Sequence, residues 1–368
     1  MKSSFKKISA LILCISLITS ILSACNSPNT NQASKQESSD LVSVQESSIQ
    51  SSVQSSSEIS EDTSKSEEFI NPLTGLSIEQ AKLNSRPVAI MINNIKQAQP
   101  LMGVSKADII YECLVEGGIT RLLAVYKDAS DVGTIGSIRS ARPPFIEIAR
   151  GFQAVYIHCG TSTQANSLLK TGVIESFDLG NYSSWAWRDQ ERLNSGYSSE
   201  HTLVTDGKTI VNNSANSGVN MTVSYTYPQK FGNDSQVING SSATNITAKF
   251  SSYKSTSFKY DETEKTYIVS QFGEEMYDDT YDVHNTAENV LVLNVNSYLI
   301  DSEHVNLDIV GSGDGYYMNG GKAIKIKWSK ADSDSPIEYT TESGEALIMK
   351  AGRQYVCCIP LSQSVSFS

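Results

Sequence analysis

This 368-residue sequence predicts an α+β fold in which a layered lobe of mixed sheet and helices precedes a mainly β carboxy-terminal lobe. Three observations predict it. Buried-strand runs alternate with helix signals from Phe69 to about Ser217, and from Met221 the pattern changes to strands and turns. Residues 26–68 contain no aromatic residue and no glycine, so they cannot join either core. The rest, about three hundred residues, is enough for one large domain or two ordinary ones.

The first element is a targeting segment. Lys2, Lys6 and Lys7 form a basic start, Ile8 to Ile21 form an apolar run too short to span a bilayer comfortably, and Leu22-Ser23-Ala24-Cys25 closes it with small residues before a cysteine. This resembles a bacterial lipoprotein signal. The resemblance implies cleavage after residue 24, a diacylglyceryl group on the Cys25 sulfur, acylation of the new amino terminus, and anchoring at the extracytoplasmic face of the cell membrane. Two or more chains anchor stably, because each buried methylene contributes about 0.8 kcal/mol. Cleavage removes three lysines and no acids, so the net charge goes from -11 to -14. So acidic a chain excludes a general nucleic-acid-binding surface.

Residues 25–68 then form a tether. After Cys25, eight acids stand against Lys35 and Lys65 in a Ser- and Gln-rich tract that cannot bury enough apolar area to offset its ordering entropy. A flexible coil of that length spans roughly 35–40 Å.

The first lobe is expected over 69–217. Ser77-Ile78-Glu79-Gln80 reads as a capping box for a short helix, and Pro87 to Asn93 reads as a buried strand. Asp108 to Leu114 and Ile119 to Tyr126 read as a hairpin around Glu116-Gly117-Gly118. Pro143-Pro144 opens a helix to about Arg150, Gln153 to Cys159 is another buried strand, and Thr163 to Lys170 is a helix ending near Gly172. The Asn- and Ser-rich stretch from Asn212 to Asn220 reads as a hinge into the second lobe, 218–368. There, Thr256 to Tyr260 and Thr266 to Ser270 form a hairpin, followed by strands at Asn289 to Val295, Val305 to Val310, Ala323 to Trp328 and Gln354 to Ile359. Whether the two lobes share a sheet is open at this level.

Cys113, Cys159, Cys357 and Cys358 fall on or beside strands, where reduced thiols pack as small apolar residues, so no essential disulfide is expected. There is no C-x-x-C, and the four histidines, 158, 201, 284 and 304, are scattered, so neither a metal site nor a cofactor is expected.

The chemistry concentrates in the first lobe. Residues 117–160 carry five cations against three acids. Arg139 and Arg142 precede a helix start, where free amides favour anions, and with Arg121 and Arg188 they are candidate ligand-binding residues, since guanidinium groups hold carboxylate or phosphate in bidentate fashion. The competing reading is that these arginines form structural ion pairs with Glu112, Glu116 or Glu147. His158 ends an apolar strand, His201 follows the Trp185-Ala186-Trp187-Arg188-Asp189 loop, and Glu116 could act with either as acid or base. The loop's tryptophans suit a sugar face or a core plug equally.

Arg86 to Asn94, Ala107 to Glu112, Glu116 to Arg121, Arg139 to Pro143, and Arg188-Asp189 with His201 together resemble the YerB-like family of bacterial lipoproteins. Gly315 to Pro360 is similar to the family's carboxy-terminal module. The resemblance implies a layered sheet-and-helix first lobe and no assigned catalytic residue. Cys159 departs from the small residue usual there, so no cysteine nucleophile is implied.

Two function classes follow, with a third beside them. The favoured one is a binding or accessory protein that meets an anionic cell-wall polymer or its phosphate-bearing precursor through an arginine-rich cleft. The alternative is an envelope hydrolase or transferase using His158 or His201 with Glu116. A protein-interaction scaffold is the third.

Overall fold

The computed structural model describes residues 68–232 and 238–368; Cys25, the expected lipidation site, and residues 26–67 of the expected tether lie outside them. Its frame is a mixed sheet whose strands run, in spatial order, Ser241–Ser242, Lys322–Lys330, Gly311–Asn319, Asn289–Val295, Gln354–Pro360, Ile109–Leu114, Thr120–Tyr126, Val88–Asn94, Val155–His158 and Ser176–Asp178, with Glu338–Thr341 added on Lys322–Lys330. Both halves of the chain therefore contribute to one sheet. The seam is Gln354–Pro360, buried at all seven positions and parallel to both Ile109–Leu114 and Asn289–Val295.

Side-chain alternation divides the core into two layers. Ala89, Met91, Tyr111, Cys113, Leu123, Val125 and Tyr156 face the helix Pro143–Arg150 and its Phe145, Ile146 and Ala149. Ile90, Ile92, Ile110, Leu122, Ala124 and Ile157 face the other way, in one cluster with Phe258, Tyr267 and Val269 of a second sheet. With both faces covered, these strands read as continuous apolar runs, the pattern that made them visible in the sequence. The second sheet is a meander: Ser255–Asp261 pairs with Thr266–Gln271 and with Asn245–Lys249, which in turn pairs with Val365–Phe367.

Several local expectations change. No capping-box helix forms at Ser77: only a single turn, Gln80–Lys82, appears, without a side-chain cap, and the Ser77 hydroxyl bonds Glu68. Three residues are too few to repay helix nucleation. The stretch expected as a hinge continues the helix Gly207–Asn216, which Asp206 caps through the Thr209 amide at 2.7 Å and which runs into Gly218 at φ 86°. The strand expected over Val305 to Val310 is confined to Val305–Leu307. All four described cysteines are free thiols.

Candidate functional site

The segment 136–142 builds the rim on which most candidate residues lie. It is zipped on both sides: the Asn93 amide donates to the Ser137 carbonyl at 2.9 Å and the Arg139 amide to Met91 at 3.0 Å, while the Ile138 amide reaches Leu203 at 2.8 Å and the Cys159 amide reaches the Arg139 carbonyl at 3.0 Å. Alternation sends Ile138 into one core layer and Ala141 into the other, while Arg139 stays only partly buried. The adjoining hairpin turn needs two left-handed residues in succession, supplied by Gly117 and Gly118 at φ 62° and 76°, and this sets Glu116 beside the segment 136–142, hereafter the strap.

Glu116 is shared by two arginines. Its Oε1 accepts from Arg121 Nη2 at 2.6 Å and from Arg142 Nη2 at 2.6 Å, and its Oε2 accepts from Arg142 Nε at 2.9 Å. Arg121 also donates to the Ser140 carbonyl at 2.5 Å and Arg142 to the Ala141 carbonyl at 2.8 Å. The two arginines are 4% and 6% exposed, so this is a nearly buried triad of two cations and one anion. Burial first, then repulsion from Arg142, brings the Arg121 guanidinium down to about 10. Burial pushes the Glu116 carboxyl up, but Arg142 and Arg121 outweigh it and hold it below its usual range.

The helix start contributes less than its position suggests. Pro143 and Pro144 occupy its first turn and carry no N–H, and the Phe145 amide already donates to the Arg142 carbonyl at 3.2 Å. The expected cradle of free helix amides is therefore absent there, because the residues that start this helix well are the ones that remove its donors.

The remaining candidates stand along the same rim. Arg139 Nη1 pairs with Glu200 Oε2 at 3.1 Å, and its Nε is buried without a partner. His201 is buried; its Nδ1 lies 3.0 Å from the Asn93 side-chain nitrogen, and its Nε2 lies 3.6 Å from Glu200 Oε1. His158 is buried with Nδ1 2.9 Å from the Gly160 carbonyl, which requires the proton on Nδ1. Desolvation lowers both imidazoles, so each is neutral near pH 7. Arg188 donates to the Ser199 carbonyl, next to Glu200. Trp185 is a core plug, 4.4 Å from the Phe177 ring, whereas Trp187 is 43% exposed.

The side chains thus lie along one rim, but Glu116 apart they are satisfied by neighbouring acids, Asn93 and backbone carbonyls, and they line none of the cavities lined by Lys96, Phe272 or Tyr298. Glu116 serves the two arginines, and each histidine is held by its own neighbours. Of the other acids considered as partners, Glu147 lies 3.9 Å from Arg150, and Glu112 points through the opposite face of the sheet.

Sequence reasoning missed what Glu112 does there. The fully buried carboxylate accepts from Asn94 Nδ2 at 3.0 Å, Thr120 Oγ1 at 2.6 Å, Thr256 Oγ1 at 2.7 Å, Tyr355 OH at 2.7 Å and Gln271 Nε2 at 3.4 Å, and it pairs with Lys254 Nζ at 3.2 Å. Burial lowers the Lys254 amine, with Glu112 acting against it. The signal was available: Ile110, Glu112 and Leu114 alternate onto one strand face, and an acid between two core residues requires a buried partner.

Comparison with known proteins agrees with this architecture. Residues 73–220 match the N-terminal domain, and residues 246–356 the C-terminal domain, of a family described as protein of unknown function (DUF3048). The chain is 26% identical over 301 residues to "Putative lipoprotein YerB" of Bacillus subtilis (strain 168), covering 81% of this chain and 88% of the relative. The crystal structure of YerB protein from Bacillus subtilis superposes with a TM-score of 0.72 at 26% identity, covering 81% of this chain and 99% of that one.

Proposed function

Because the chain belongs to the YerB-like family of bacterial lipoproteins, we propose that it is a lipid-anchored extracytoplasmic protein that binds an anionic ligand of the cell envelope at the arginine rim. One observation carries the reading: Arg121 and Arg142 share the single carboxylate of Glu116, so the triad keeps one positive charge uncompensated. Arg139, whose Nε lacks a partner, and Arg188 stand alongside, although Glu200 and Asp178 temper the field. An anion seated there relieves the repulsion between the two guanidiniums, as it would at any cluster of partly desolvated arginines. Binding fits better than acid-base catalysis, because a carboxylate held low by two arginines is a weak base and both histidines already spend a ring nitrogen on a neighbour.

The probe is a poly(glycerol phosphate) chain, titrated calorimetrically at two salt concentrations. Arg139→Gln should weaken binding about tenfold while leaving circular dichroism unchanged, and Arg139→Lys should recover only part, since lysine keeps the charge and loses the planar fork. Unaltered binding by the glutamine variant removes the rim from consideration. The anchor is tested separately by fatty-acid analogue labelling, which Cys25→Ala should abolish; retained label in that variant contradicts the lipid site.

A further inference from the structure

On the side of the sheet that carries Glu112, two cavities of about 270 and 210 Å³ share Lys96 and Phe272 as a common wall. Together they reach the size of a small-ligand site. The first is lined by Asn94, Ile119 and Tyr253, the second by Gln99, Gln271 and Tyr277. A third hollow of about 590 Å³ adjoins the first through Gly118 and Tyr253 and is bounded by Tyr298 and Leu299. The result is a row of hollows edged by exposed aromatic rings: Tyr253 is 84% exposed and Tyr298 47%.

The buried carboxylate gives this row its polarity. Glu112 accepts from the side-chain nitrogens of Asn94 and Gln271, and Gln271 also donates to Tyr355 OH at 2.9 Å, so both amides are locked with their oxygens turned away from the acid. Those two oxygens, Asn94 Oδ1 and Gln271 Oε1, are buried and have no partner, and Gln99 Nε2 is a buried donor likewise unpaired. Asn94 is fully buried and Gln271 is 4% exposed. Two acceptors and one donor on residues that line the same cavities as the Tyr253 and Phe272 rings are complementary to a group that offers both N–H and C=O beside a flat ring.

We propose that these linked cavities bind an N-acetylated sugar chain, whose acetamido and hydroxyl hydrogens meet Asn94 and Gln271, whose acetyl oxygen meets Gln99, and whose pyranose faces stack on Tyr253 and Phe272. A peptide is the less suited occupant, because it docks chiefly through main-chain bonds to a sheet edge, and the edge strand lining the second cavity, Glu274–Glu275, is only two residues long. The site is separate from the arginine rim.

The full chain in mild detergent is titrated with tetra-N-acetylchitotetraose, cellotetraose and tetra-alanine. The acetylated sugar should bind, cellotetraose should bind at least tenfold more weakly, and tetra-alanine should not compete. Tyr253→Ala, a change at an exposed ring that leaves the core intact, should weaken the acetylated sugar about tenfold. Arg139→Gln should leave it unchanged, which separates this site from the rim. Equal affinity for both sugars, displacement by the peptide, unaltered binding in Tyr253→Ala, or no binding at millimolar sugar would each overturn the proposal.

Discussion

Two carboxylates four residues apart, Glu112 and Glu116, sit at the same end of one hairpin and meet opposite fates. Glu112 faces the interior between two sheets, where five neutral donors and one lysine satisfy it and its charge is balanced. Glu116 lies just beyond the strand end, 25% exposed at its side chain, with two arginines competing for it. The difference separates a charge cluster that has been closed from one that has been left open. Four of Glu112's partners, Lys254, Thr256, Gln271 and Tyr355, are widely separated from it in sequence, so it ties the hairpin to the second sheet and to the seam strand. Glu116 bonds only the hairpin's own Arg121 and the strap's Arg142, and it leaves a positive remainder near solvent.

The comparison predicts very different costs. Glu112→Leu strands Lys254 as an unpaired buried cation and should lose about 3–5 kcal/mol of stability in urea unfolding. Adding Lys254→Met should recover most of it, because replacing both partners of a buried pair with apolar groups is often close to neutral. If the single and double variants are equally unstable, the pair is not what joins the layers. At the other extreme, Arg139→Gln removes a solvent-facing pair with Glu200 and should change stability by less than about 0.5 kcal/mol. A larger loss would place Arg139 among the structural groups and remove it from the rim's candidate ligand-binding cations.

What the sequence made legible follows the same division. Strands such as Val88–Asn94 and Gln354–Pro360 are buried at every position and carry long apolar runs because both faces are covered, and local pattern suffices to find them. That Gln354–Pro360 lies between Ile109–Leu114 and Asn289–Val295 could not be read, since nothing local encodes a parallel pairing across more than two hundred residues. The capping box at Ser77 misled because its motif was present without the apolar period needed to extend it. Arg139 and Arg142 were found as a charge excess, yet their different roles depend on strap alternation and on Glu116, both tertiary facts. The double proline was read correctly as a helix start; its cost, the missing donors, is a consequence of the same residues.

The central claim, that the Glu116 triad carries a surplus positive charge suited to an anion, is tested most directly by the melting temperature of Glu116→Gln in rising phosphate against chloride at matched ionic strength. The substitution leaves Arg121 and Arg142 facing each other without their carboxylate, so the variant should melt below the parent protein in chloride. Phosphate should then restore it by about 3 °C at ten times its dissociation constant, corresponding to about 1.4 kcal/mol of linkage, with a larger shift than in the parent protein. A variant that melts at the same temperature in both salts would contradict the account.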